Sequence, residues 1–263
     1  MANDNLYTTQ FQAGLGMIHE TLDLLRLWEL GDSPGKLVEK SITSGLFSRT
    51  TARRARNIVA EMFAPRFLAN CKPAASQLKL LVVASHDVED LKQLFFLYTA
   101  RAQAIFADFL VEVYWPRYSS GAHVLNRVEA ENFIQRALHN GKMRKRWTET
   151  TIRRVSGYLL GCCADFGLVS SSGRSCWTIS RFSIRPNVAL YLAYDLHFFG
   201  MSDVAVIGSS DWRYFGLEPN DVVNQLKGLS HNGHLIMQAT TDLVHISWKY
   251  SSMEDCLRAI AKG

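Results

Sequence analysis

Export signals, membrane spans, disulfide staples and catalytic signatures are all scarce in this 263-residue chain. The five cysteines, Cys71, Cys162, Cys163, Cys176 and Cys256, are odd in number and include no C-x-x-C pair. That usage argues against a disulfide framework or a zinc site and for a reducing compartment. The opening MANDNLYTTQ has neither a basic start nor an apolar stretch, so export is not expected. The most apolar region, Leu94 to Trp115, is interrupted by Arg101, Asp108 and Glu112, whereas a bilayer helix needs about 20 mostly apolar residues. A cytoplasmic protein with no membrane partner is the expectation.

Gly14-Leu15-Gly16 lacks the third glycine and the preceding strand of a dinucleotide fingerprint, which leaves helix packing as its reading. Ser33 and Lys36 have S-x-x-K spacing, but Ser33 before Pro34 reads as a helix cap. His231, His234 and His245 have no acidic or cysteine partner at a useful metal-ligand spacing. His245-Ile246-Ser247-Trp248-Lys249 carries the lysine of a nuclease-type D/E-x-K site without its acid. No catalytic residue, metal site or cofactor is expected, and the chain reads as a binding protein rather than an enzyme.

Positive charge is present, and it is local. The net charge is +5 overall, yet Arg49, Arg53, Arg54 and Arg56 fall within eight residues that contain no acid. Lys142, Arg144, Lys145, Arg146, Arg153 and Arg154 crowd a second segment whose sole acid is Glu149. Two dense patches on an otherwise acidic background are the footprint of a polyanion-binding surface. The patches share a motif, Thr50-Thr51-Ala52-Arg53-Arg54 and Thr150-Thr151-Ile152-Arg153-Arg154, too short to establish a duplication.

Helical spacing dominates the first two-thirds. Leu15, Ile18, Leu22 and Leu25 predict a helix across 14–30, and Ser33-Pro34 opens a short one ending near Gly45. Ser48 or Thr50 is the expected cap of the next helix, with Ala52, Ala55, Val59 and Met62 inward, Arg49, Arg53 and Arg56 on another side, and Pro65 ending or kinking it. Helices are expected across 73–85 and, unbroken, 87–115, then a linker at Arg117–Ala122, RYSSGA. Phe95, Phe96, Tyr98, Phe106 and Phe109 read as core.

Beyond the linker, a helix over 129–138, a basic turn and a helix over 149–166 are expected. Ile152, Val155, Leu159, Cys162 and Phe166 form the buried stripe of the latter, and Gly167 its stop. A hairpin within 170–186 then carries Arg174, Arg181 and Arg185. That order is a winged helix-turn-helix. The tail reads as helices at 187–199 and 219–229, a hairpin in LIMQATTDLVHISWKY and a last helix over 252–261.

The expected fold is therefore mainly α with small β hairpins. An N-terminal helical bundle at 1–118 precedes a winged helix-turn-helix at 123–186 and a mixed α/β segment at 187–263. Candidate DNA-binding residues are Lys142, Arg144, Lys145, Arg146, Thr150, Thr151, Arg153 and Arg154, with Arg174 and Arg181 on the wing and Arg49, Arg53 and Arg56 in the first cluster. Hydroxyls and free amides at a helix start suit phosphate oxygens, and wing arginines suit a minor groove. Double-stranded DNA is the expected partner. A protein-contact scaffold, and RNA binding by the N-terminal bundle, are the rival readings.

Three blocks, LYTTQFQAGLGMIHETLDLL, SGLFSRTTARRARNIVAEMFAPRFL and RWTETTIRRVSGYLLGCCADFGLV, resemble the BrxA family of bacterial BREX phage-defence systems. The resemblance rests on the order of the blocks, from about residue 6 to at least 170, and not on a catalytic signature. It implies a cytoplasmic, largely helical protein that binds double-stranded DNA beside a methyltransferase, an ATPase and other defence proteins. It also implies N-terminal helices similar to an antitermination-factor fold. No site residue is carried over from the family.

Overall fold

A computed structural model describes residues 6–9, 16–48, 50–69, 74–143, 145–171, 176–239 and 244–262. The fold is mainly α with small antiparallel strand pairs. Helix α1, Ile18–Leu27, is followed by α2, Pro34–Thr43, where Ser33 Oγ accepts from Lys36 N at 3.2 Å as an N-cap. The cap of α3, Ala52–Asn57, is Thr51 and neither Ser48 nor Thr50; it accepts from Arg54 N. Ala52 is exposed in its first turn, so only Ala55, Val59 and Met62 of the expected inner face are buried.

Pro65 does not end this helical stretch. A wider π-helical turn, Ile58–Phe63, precedes it, and Pro65 sits in the first turn of α4, Ala64–Phe67. The i→i−5 spacing of the π-helical turn, in which Ala64 N–H donates to Val59 O, makes room for the proline ring without ending the helical run.

Helices α5, Ala74–Val83, and α6, Val88–Ala102, follow. The single helix expected across 87–115 is broken: the chain bends by 107° at Gln103, whose φ of −129° and ψ of 89° are not helical. Packing explains the elbow. Phe96, before the bend, meets Phe106, after it, edge to face at 5.9 Å, and Phe166 and Phe182 close on Phe96 at 5.5 and 5.8 Å. Four buried or half-buried rings gathered this way favour the bent path over the helical hydrogen bonds given up at Gln103. Beyond the bend run α7, Ala104–Phe109, a π-helical turn at Leu110–Tyr114, and α8, Trp115–Ser119. The expected linker is therefore the end of α8 and a tight turn at Gly121, where φ is 73°.

Next come β1, Val124–Asn126; α9, Arg127–His139; α10, Glu149–Asp165; β2, Val169–Ser171; and β3, Cys176–Ile179. The strands form one antiparallel sheet in the order β1-β3-β2, pairing Leu125 with Trp177 and Val169 with Ile179. Glu129 reaches back to the amide of Asn126 at 2.9 Å and fixes the start of α9. Gly167 terminates α10 with φ of 81°, and Leu168 N returns to Cys163 O at 2.8 Å. Buried Tyr114 donates its hydroxyl to Leu168 O at 2.9 Å. Gly16 packs where a Cβ would lie 2.5 Å from that of Asp165, and its amide donates to the Asp165 carboxylate.

The tail contains α11, Pro186–Phe198; α12, Asp203–Ile207; a 3-10 turn, Ser210–Phe215; α13, Pro219–His231; the hairpin β4, Leu235–Ala239, with β5, Val244–Trp248; and α14, Met253–Lys262. Neither α12, of 5 residues, nor the 3-10 turn, of 6, is long enough to show a periodic stripe in the sequence. Buried Trp212 anchors the latter by donating Nε1–H to Val206 O at 2.7 Å.

Compactness separates two units, Met1–Ser76 with Phe95–Phe182, and Gln77–Leu94 with Ser183–Gly263. The second holds 8 of the 29 lysines and arginines and 11 of the 24 acids, a net of −3 that leaves +8 on the first. Among the described residues, no single helix is long and apolar enough to cross a membrane.

Candidate nucleic-acid interface

Helix α10 is built with two unlike faces. Thr148 is its N-cap: Oγ1 accepts from Thr151 N at 3.3 Å and lies 3.0 Å from the Thr151 hydroxyl. The stripe Ile152, Val155, Leu159, Cys162 and Phe166 is buried, as its spacing predicts. Thr150, Arg153 and Arg154 are exposed on the other side, with Gly157 and Tyr158 half-buried beyond them. The apolar stripe thus sets the direction in which the arginines point. Thr151 is half-buried and engaged at the cap, which leaves Thr150 as the freer hydroxyl.

Arg127, the first residue of α9, joins this face. Its guanidinium lies 5.8 Å from the centre of the Trp177 ring on β3, within cation–π range. Arg127, Thr150, Arg153, Arg154, Gly157 and Tyr158 line a groove of about 440 Å³. A second groove, of about 770 Å³, shares Arg127 and Arg153 but also has Glu129, Glu131 and Glu149 on its walls. Positive charge therefore dominates the side toward Arg154 and Tyr158. Sequence reasoning missed Arg127 because it starts the helix at 129. The signal available was Asn126, a capping residue type three positions before Glu129.

The loop between α9 and α10 exposes Lys145 and Arg146. Among the described residues neither has an ion-pair partner, nor do Arg153, Arg154, Arg127 or exposed Arg181 beyond β3. Lys142, in the same loop, is different. Its ammonium is 2.7 Å from Asp108 Oδ2 and 3.4 Å from Glu112 Oε1. Arg144 and Arg174 lie outside the described residues.

In the first cluster, Arg53 and Arg56 are exposed on α3 without ion pairs among the described residues, Arg54 is half-buried, and Arg49 lies outside them. The shared motif occupies different helical registers. Thr51 is the cap of α3, placing Arg53 in the first turn, whereas α10 is capped at Thr148, placing Arg153 in the second. The three tail histidines are engaged separately: His231 Nδ1 with Lys227 O, His234 Nδ1 with Tyr250 Oη, and His245 Nδ1 near Asp203 at 3.5 Å.

Fold and site together define a mainly helical protein with a cationic face on one helix that has no ion-pair partner among the described residues. The BrxA family model matches residues 5–195, so the chain belongs to the BrxA family and has a BREX-associated role in antiviral defence. No curated protein and no solved structure matches it.

Proposed function

We propose that the protein is a non-catalytic, double-stranded DNA-binding component of a BREX defence system, acting in the cytoplasm beside other defence proteins. The observation that carries this reading is the unpaired cationic face of α10 with Arg127 and the Lys145–Arg146 loop. Unpaired guanidinium groups on a face ordered by a buried stripe are suited to phosphate oxygens, which they bind as charge-assisted, often bidentate partners. The order β1, α9, α10, β2, β3, with sheet order β1-β3-β2, supports a winged helix-turn-helix in which α10 enters the major groove. Arg181 then extends the track from the wing, and Arg53 and Arg56 offer a second basic contact.

The test is a titration of the purified protein against a labelled 20–30-base-pair duplex, with structured RNA as competitor. Arg153→Glu/Arg154→Glu should abolish binding, RNA should compete poorly, and plasmid incubated with divalent cations should stay uncut. An unaltered affinity in the double variant would overturn the assignment of α10.

A further inference from the structure

Lys142 belongs to the basic segment by sequence and to an internal cluster by geometry. Its Nζ donates to Asp108 Oδ2 at 2.7 Å, to Glu112 Oε1 at 3.4 Å and to the Tyr7 hydroxyl oxygen at 3.3 Å. It also sits 5.5 Å from the centre of the Tyr7 ring. The Tyr7 hydroxyl in turn donates to Asp108 Oδ2 at 2.6 Å. Burial and the neighbouring Asp108 carboxylate both push that hydroxyl's pKa up, so it remains a donor. With two acids against one ammonium, the cluster has no positive charge left over for a phosphate.

The backbone completes the arrangement. Tyr7 N donates to Lys142 O at 2.8 Å, and residue 7 pairs with Met143 as a parallel bridge. The Tyr7 ring is 3% exposed and meets Phe133 of α9 at 6.1 Å. Lys142 N returns to Ala137 O at 3.0 Å, closing the end of α9. The entry to the α9–α10 loop is thus tied to a segment 135 residues away, and to α7 through Asp108. The loop's other end is tied by the Thr148 cap. Between these two anchors lie Lys145 and Arg146, exposed and without an ion-pair partner among the described residues.

We infer that Tyr7 and Lys142 are positioning residues, a clamp that fixes the path of the Lys145–Arg146 loop for the phosphate backbone. The inference rests on the DNA-binding reading for its consequence, but the clamp itself has a readout without DNA. Tyr7→Phe removes one hydroxyl and keeps the ring; Lys142→Met removes the charge and keeps the stem. Each should accelerate amide exchange at residues 7 and 142, whose N–H groups are bonded to Lys142 O and Ala137 O, while leaving exchange in the buried stripe of α10 unchanged. Each should weaken duplex binding about three- to tenfold, the equivalent of one or two lost hydrogen bonds. The log–log salt slope should not move, because no phosphate contact is lost. Lys142→Arg, which keeps a cation between Asp108 and Glu112, should restore both readouts.

A slope shallower by about 0.9 in Lys142→Met would make Lys142 a phosphate contact and overturn the clamp. Unchanged exchange at residues 7 and 142 in both variants would overturn it as well. If the native protein bound no duplex at all, the functional reading would fall, and the exchange data would still decide the clamp.

Discussion

Replacing Asp90 by asparagine tests how the second unit holds the segment leading into α11. The Asp90 carboxylate is almost fully buried near the start of α6. It accepts from His86 Nε2 at 2.8 Å, from Asn187 Nδ2 at 2.9 Å and from Arg185 Nε. Burial alone would raise its pKa; the donors of Asn187, Arg185 and His86 outweigh burial and hold it below the usual carboxylate range. Hydrogen bonds to a charged group contribute about 1.5–3 kcal/mol each, and asparagine keeps one acceptor while turning an N–H toward a donor. Arg185 retains Asp87 at 2.7 Å, so its charge is not stranded. The loss should therefore be about 2–4 kcal/mol at pH 7, short of the upper range for a broken buried pair.

The sign of the pH dependence follows from the depressed pKa. The stabilisation is fully present above the unfolded value of about 3.9 and is lost as pH falls through the folded value. Urea unfolding followed by tryptophan fluorescence should show a wide gap between native chain and variant at pH 7 that narrows in acid. Buried Trp212 reports from the same unit. Equal midpoints at pH 7, or a gap that persists undiminished in acid, would refute the argument.

Two further substitutions address α10. Leu159→Ala empties a fully buried position of the stripe and should destabilise by about 2–5 kcal/mol in chemical denaturation. Gly157→Ala should instead stabilise by about 0.5–1 kcal/mol in thermal unfolding, since a Cβ there meets nothing within 4 Å. The added methyl projects toward the groove, so duplex affinity should fall slightly even as the melting temperature rises.

Much of the fold is legible in the sequence where one local signal decides it. The i, i+3, i+7 stripe places α10, Ser33-Pro34 places the start of α2, and two apolar runs around a turn place β4 and β5. The turn itself, with Asp242, lies outside the described residues. The break at Gln103 is not legible, because neither proline nor glycine marks it; aromatic side chains from residues 96, 106, 166 and 182 decide it together. Pro65 shows the converse, a breaker absorbed by a π-helical turn.

Charge is read with similar limits. Arg153 and Arg154 are exposed as their phase on α10 requires. Lys142 has the same letter class as Lys145, yet its partners Asp108 and Glu112 stand 34 and 30 positions away, beyond any local pattern. The repeated Thr-Thr-x-Arg-Arg motif misleads in another way. Which threonine becomes the cap depends on the preceding turn, so equal letters end one helical turn out of register.

The central claim is that unpaired cations of the α10 face, its flanking loop and Arg127 bind duplex DNA through phosphates. The direct measurement is duplex affinity by fluorescence anisotropy between 50 and 200 mM salt. Counterion release gives about −0.9 in log–log slope per phosphate neutralised. With four to six of Arg127, Lys145, Arg146, Arg153, Arg154 and Arg181 engaged, the slope should lie between about −3.6 and about −5.4. Arg153→Ala/Arg154→Ala should make it shallower by about 1.8. Affinity independent of salt, or a slope unchanged by that double substitution, would contradict the account.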